Sequence, residues 1–389
     1  MALVGFPLWP DQEHLPKVAP LFDHLDYIEV VPETLWGPGG RPNSYYQIAQ
    51  TLADAGTPVV AHGVGIDPAS LDDARRRVWL DRTLRDAEQL AYRWISDHLG
   101  TVSIDGEPVA LPLPAPESFA RLTRTLDQLA AASGAPAAIE NSAWYAYPGE
   151  ALDEPARLVD ALGDRHHLVL DLHNLWTNSI NLGFDPVQWL ERAPLDRVIE
   201  IHLSGGTFAP DTWTGGPTIR LDSHDDAVPD EVWALLDTAL PRLTGLRGAT
   251  LERIEGPVGE HEVQRLISEL HRLRALVADV GLPMAPPADP PDEAPPIDPS
   301  SDLTPAERAL NRAMAALTRT PSADAGDQVA HRLIVKLRFS RLLRGDPSAE
   351  AWFDEDPEAF VAAFRDFHAQ TPCEETPWDE ARAWRAWRS

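Results

Sequence analysis

One cysteine, Cys373, stands in a chain of 389 residues. No intramolecular disulfide can form. Zinc knuckles and iron–sulfur clusters are excluded as well, since each needs several thiolates. Long hydrophobic runs are missing, and no stretch approaches the roughly 20 apolar residues of a membrane-spanning helix. Met1–Pro10 is apolar but lacks the basic region and small-residue cleavage site of a secretory signal, so the expected location is cytoplasmic. Positive charge is scarce: Lys and Arg number 33 against 61 Asp and Glu, a formal net charge of −28. A general nucleic-acid binder needs a basic surface, which sets that function aside. The acidic excess reads as solvated surface, and it would suit a partner or substrate with basic patches.

What is present is alternation. Eight short β-branched or aromatic segments, at 3–6, 26–31, 57–62, 91–98, 136–140, 167–172, 197–203 and 249–254, are each followed by a helical pattern. Helices are expected over 74–91, over 116–132 with Leu122, Leu126 and Leu129 at helical spacing, and over 229–240 behind Pro229-Asp230. Eight βα repeats predict an α/β fold, a (β/α)8 TIM barrel over residues 1–283. A doubly wound sheet is the alternative, but it would not gather side chains from so many strands around one point. Residues 284–300 form a Pro-rich acidic linker, expected to be an extended, semi-stiff spacer. Residues 301–389 predict a small all-α domain. It has a capping box at Thr304–Glu307 with a helix to Leu317, and a basic amphipathic stretch at 329–344. A helix at 357–369 puts Phe360, Phe364 and Phe367 on one face, and a last helix after Thr376 carries Trp384 and Trp387. The Phe stripe reads as the domain's own core.

The chemistry sits where the apolar runs end. VVAHG carries His62, WISDHLG carries His98 and AAIEN carries Glu140. LVLDLHN carries Asp171 and His173, VIEIHLSGG His202, RLDSHDD Asp222 and His224, and ATLERIEG Glu252. Alternation along an extended chain puts Asp171 with His173, and Asp222 with His224, on shared faces. Five imidazoles and four carboxylates delivered by consecutive βα units are what a site for more than one metal ion requires. Burying the carboxylates together without cations would be prohibitive. Four carboxylates bring −4 and three divalent ions +6, which leaves +2 for hydroxide, an oxygen species or an anionic substrate group. Asp97 points away from His98 and reads as a supporting residue. Glu29 and Glu33 read as substrate contacts or rim charge, and Asn141 and Asn174 as orienting or turn residues. Gly63-Val64-Gly65 and Ser204-Gly205-Gly206 are weak phosphate-loop signals, equally explained by close backbone approach to the metals. His166 and His167 precede a strand, at the wrong end of a barrel. His261, His271, His331 and His368 read as surface residues.

These residues in this order resemble the multinuclear non-heme iron-dependent oxidative enzymes. The shared pattern runs EVVPE, AHGVG, SDHLG, LPLP, IEN, DLHN, NLGFDP, IHLSGG, DSH, VPDEVWALL and TLER, over about residues 3–280. The resemblance implies a xylose-isomerase-like barrel and oxidative modification of a ribosomally synthesised precursor peptide, at Cys, in natural-product biosynthesis. It implies two or three irons per chain, mixed Fe(II)/Fe(III), with O2 as co-substrate. It also implies a leader-binding partner protein, unless the C-terminal domain fills that role. Carried over position by position, His62, His98, Glu140, Asp171, His173, His202, Asp222, His224 and Glu252 would be the iron ligands, and Asp171, His173 and Glu252 carry the catalytic assignment as well. Some members have Asn where His173 stands and His where Gly206 stands, which places this chain in one branch. The competing reading is a di- or trinuclear Zn or Mn TIM-barrel hydrolase or isomerase acting on a sugar or phosphate ester. Neither reading involves nucleic-acid binding or a membrane.

Overall fold

In a computed structural model, eight strands pair side by side and close on themselves. They are β1 (Leu3–Pro7), β2 (Tyr27–Val30), β3 (Val59–Gly63), β4 (Ile95–His98), β5 (Ala137–Glu140), β6 (His167–Asp171), β7 (Val198–Leu203) and β8 (Gly248–Leu251). Each is parallel to its neighbours, and β1 pairs with both β2 and β8 to shut the barrel. The structure describes residues 1–9, 14–37, 40–69, 73–104, 107–114, 119–210, 218–254, 258–286, 289, 291–296, 305, 324–374 and 376–389. Among these, no helix is long and apolar enough to cross a membrane.

The strands are short and apolar because both of their faces are covered, by helices outside and by side chains within. All residues of β3 and β7 are buried. The helix Phe119–Ser133 shows the outer packing, with Leu122, Leu126 and Leu129 at successive turns and fully buried. Inside, Tyr27, Val60, Trp94, Ala138, Val169 and Ile199 fill the barrel floor. Above that floor sits the buried carboxylate of Glu200. It accepts from Tyr27 Oη (2.8 Å), Trp94 Nε1 (2.6 Å) and Thr250 Oγ1 (2.7 Å), so its burial is fully compensated.

Most strands are shorter than expected by a residue or more, and for two of them the local cause is plain. The run from Ala91 becomes strand only at Ile95, because Ala91 closes the preceding helix Asp73–Leu90 in a left-handed conformation, φ 49°. β6 stops at Asp171, whose carboxylate caps the helix Leu172–Leu182. His173 therefore sits in the first turn of a helix rather than on the strand.

Of the stretch 284–300, the described residues carry neither helix nor strand, and they lie along the barrel. Met284 packs under the floor cluster, and Pro296 O accepts from Gln128 Nε2 at 3.3 Å. The helical module then comprises Ala325–Gly345, Pro347–Glu355, Pro357–Gln370 and Pro377–Arg388. The expected capping box and helix at 304–317 lie outside the described residues, apart from Pro305. Phe360, Phe364, Phe367 and Trp384 are fully buried in the module's own core. A buried Arg338–Glu380 pair at 2.6 Å braces it, with further Arg338 donors on Thr371 O and Thr371 Oγ1. The first helix also packs on the barrel rim. Val329 and Ala330 join Tyr145, Ala209, Ile219 and Leu221 in one apolar cluster.

Candidate metal centre

All nine candidate ligands converge at the C-terminal mouth of the barrel, where strand ends present side chains to a common space. Their donor atoms form overlapping groups, each within 4.8 Å: His62–His98–Glu140, Glu140–Asp171–His202, Asp171–His224–Glu252 and His173–Asp222–His224.

Glu140 anchors the first group, next to its register partner His98. His62 Nδ1 donates to Ser96 Oγ at 2.9 Å, since that hydroxyl itself donates to Ala61 O (3.2 Å). His98 Nδ1 donates to Gly63 O at 3.1 Å. Both tautomers are thereby fixed, and both rings aim Nε2 at Glu140 Oε2, at 2.9 and 3.3 Å. Lone pairs so close to a carboxylate require a proton or a cation between them.

The second space is ringed by Asp171, His202 and Glu252. Asn141 clamps the Asp171 backbone, accepting from its N–H at 3.0 Å and donating to its carbonyl at 2.8 Å. Asp171 Oδ1 accepts the Asn174 N–H at 2.7 Å and Oδ2 stays bare. His202 Nδ1 lies 3.3 Å from Glu140 Oε1 and 3.5 Å from Glu252 Oε1.

In the third group, Asp222 Oδ1 is 2.7 Å from His224 Nε2 and 3.3 Å from His173 Nδ1. These two loop residues are not in an extended stretch, as alternation had predicted. His224 has φ 48°, a left-handed conformation uncommon outside glycine, and that bend turns its ring toward Glu252. Tyr145 Oη accepts the Asp222 N–H at 3.1 Å.

Burial alone would lower the pKa of His98, but Glu140 and Asp97 push it up to about 10. Asp222 and Glu252 likewise raise His224 to about 10 against the effect of burial. Burial and the neighbouring carboxylates Glu140, Glu252 and Asp222 raise Asp171. The cluster thus traps protons where cations would sit. Glu140 Oε2, Asp171 Oδ2, His173 Nδ1, His202 Nδ1, Asp222 Oδ1, His224 Nε2 and Glu252 Oε2 are buried without a hydrogen-bond partner. So many bare donors in one place are costly unless ions fill the space. An all-nitrogen and oxygen donor set of this kind suits iron, manganese or zinc.

The family model for the RiPP precursor modification enzyme MbnB/TglH/ChrH, where RiPP denotes a ribosomally made and modified peptide, matches residues 8–278. The chain belongs to the MbnB/TglH/ChrH family. It is similar to UPF0276 proteins of Caulobacter vibrioides (30% identical over 234 residues, 59% of this chain and 79% of the relative) and Rhizorhabdus wittichii (31% over 265 residues, 64% and 89%). Among solved structures, D-psicose 3-epimerase aligns at TM-score 0.46 and 15% identity, over 71% of this chain and 99% of that one. A xylose isomerase domain protein from Planctomyces limnophilus aligns at 0.46 and 18%, over 72% and 98%. The fold rests on the strand pairing itself, and no chemistry is drawn from these likenesses.

The glycine loop of this MbnB/TglH/ChrH chain is explained by packing. A Cβ on Gly206 would stand 2.6 Å from Leu221 O and 3.0 Å from His173 Nε2, so position 206 has no room for a side chain while His173 is present. A Cβ on Gly205 would meet Ala227 O at 1.9 Å. The Gly63–Gly65 turn is no phosphate cradle either: Glu33 Oε1 accepts the N–H groups of Val64 (2.9 Å) and Gly65 (2.6 Å). Asp97 has the supporting role expected of it, accepting the Asp67 N–H at 3.0 Å.

Three residues of the site were not foreseen in their present places. Glu29 is buried rather than on the rim, and its Oε2 faces His202 Nε2 at 3.1 Å, which leaves Nδ1 for a metal. Glu200 shares the inner face of β7 with His202; the spacing E-I-H was the signal. The Arg220 guanidinium lies 3.2 Å from His173 Nε2 and stacks over Trp176 at 3.9 Å, a contact no local motif announces.

Proposed function

We propose that this chain is an iron-dependent, O2-consuming enzyme that oxidises a ribosomally made precursor peptide at cysteine. The observation that carries the proposal is the set of seven bare, buried donor atoms converging from four consecutive βα units, in a chain of a peptide-modifying family. His62, His98 and Glu140 would hold one ion, and Glu140, Asp171, His202 and Glu252 the next. His173, Asp222 and His224 would hold a third. Bound iron would supply open coordination positions and the electrons for O2 reduction.

The rest is the work of the chain's own residues. Ser96 and the Gly63 carbonyl hold His62 and His98 in the tautomer that leaves Nε2 free. His98 and His224 must give up their protons as the site loads. His98, Asp222 and His224 are 19%, 21% and 14% exposed, and they form the side from which a peptide approaches. Asp171, His173 and His202 are sealed from solvent, so they would keep water away from an ion held there. Asp171, His173 and Glu252 are proposed to act in catalysis as well as ligation, since they bound the space between the groups.

The test uses the full chain, loaded with iron without oxygen and mixed with the Cys-containing peptide encoded beside its gene. A mass change at cysteine that needs both iron and O2 supports the reading. Turnover with zinc alone, or without O2, overturns it.

A further inference from the structure

A cavity of about 270 Å3 lies at the rim of the barrel mouth, outside the metal cluster. Three segments wall it: Leu111–Pro114 of the hairpin that follows β4, Trp144–Pro148 after β5, and the start of the helix Ala325–Gly345. Two of these walls grow directly from the strands that end in His98 and Glu140. Tyr145 belongs to both places, lining the cavity and accepting the Asp222 N–H with its hydroxyl. A group lodged in the cavity is therefore one side chain away from a candidate ligand.

Its volume falls below the roughly 300–1,000 Å3 of pockets that take whole small-molecule ligands. One or two amino-acid side chains fit, and a nucleotide does not. The lining is apolar and aromatic, through Leu111, Leu113, Trp144, Tyr147 and Ala330, with Asp327 its one charged residue. Strand addition beside it is discouraged. Pro108, Pro112 and Pro114 deprive the hairpin strand and its end of amide donors, so an incoming chain finds few backbone partners. Recognition here has to work through side chains.

We propose that this cavity is a specificity subsite for an aromatic or branched aliphatic side chain of the precursor peptide, close in sequence to the residue being modified. The inference rests on the peptide-modifying reading above. It gives the helical module a direct part in substrate choice, because Ala330 and Asp327 supply one wall. Filling the cavity removes the burial of that side chain, worth a ten- to hundredfold change in affinity.

The experiment uses iron-loaded, full-length protein held without oxygen and a synthetic heptapeptide pool, randomised around one central cysteine. Bound peptides are read by mass spectrometry for the wild type, Ala146→Trp (which fills the cavity from a half-buried loop position) and Leu111→Asp (which puts a charge into it). The wild type is expected to enrich Phe, Tyr, Trp, Leu or Ile at one fixed distance from the cysteine. Both variants should keep their iron and bind the enriched peptides ten- to hundredfold more weakly. The same apolar preference in both variants, or wild-type enrichment with no apolar position, overturns the subsite while leaving the peptide reading intact. Failure of the wild type to retain any peptide overturns the subsite, while the peptide reading stands or falls on the iron- and O2-dependent mass change described above.

Discussion

Replacing Gly206 with alanine tests whether close packing sets the third group of ligands. The new Cβ would lie 2.6 Å from Leu221 O and 3.0 and 3.1 Å from Nε2 and Cε1 of His173. The ring can yield a few tenths of an ångström, but the Leu221 carbonyl is backbone and directly precedes Asp222. Relief therefore comes by moving the loop that carries Asp222 and His224, or by tilting His173. Overpacking of this kind costs about 1–3 kcal/mol. In a domain of this size that lowers Tm by roughly 2–12 °C. Metal content should fall by about one equivalent per chain, because His62 and His98 are held by Ser96 and Gly63 against Glu140, away from the disturbance. The assay is elemental analysis after anaerobic iron loading, beside a thermal melt. Gly183→Ala is the control: Gly183 has φ 74° with nothing within 4 Å of its Cβ position, so alanine there strains the backbone without touching the site. Full metal content in Gly206→Ala, or an equal loss in both variants, would refute the reasoning.

Further expectations follow from other parts of the structure. Tyr145→Phe removes the acceptor of the Asp222 N–H, a net loss of about 1 kcal/mol, and should weaken retention of one metal against a chelator; unchanged retention would contradict it. His98 and His224 have pKa values raised to about 10 from an ordinary value near 6.5. Their stabilising protonation in the metal-free chain is complete below 6.5 and lost as pH rises to about 10. Metal-free Tm should therefore drop from pH 6.5 to 9.5 while metal affinity rises, and a metal-free melt that climbs with pH would be evidence against trapped protons. Glu252→Ala and His224→Ala should each lower bound iron and abolish turnover, and full activity in either removes that residue from the site. Arg338→Met leaves Glu380 buried without its cation and should destabilise the helical module by about 3–5 kcal/mol in denaturant unfolding, with iron content unchanged.

The barrel was readable because the strands are short apolar runs, six of the eight ending at or beside a candidate ligand, and burial on both faces leaves little else for such a run to do. The convergence of the nine candidate ligands at one end of the barrel was readable for the same reason. Their local geometry was not. Asp171-Leu172-His173-Asn174 looked like alternating strand, yet Asp171 caps a helix that ends at Gly183, and the helical signal began one residue earlier than assumed. Alternation also fails at His224, where a positive φ does the positioning. Glu29 was misplaced on the rim because a carboxylate inside a strand is ordinarily too costly, and only the contact with His202 explains it. The packing of Val329 and Ala330 on the loop before Asp222 joins residues over 100 positions apart, and no periodicity in either segment encodes it.

Mössbauer spectroscopy with elemental analysis, on protein loaded anaerobically with enriched iron, tests the central claim most directly. The account predicts two to three irons per chain, magnetically coupled through shared carboxylates, with the coupling altered when O2 is admitted. Isolated, uncoupled iron, or zinc or manganese held at that stoichiometry with no O2 uptake restored by iron, would contradict it.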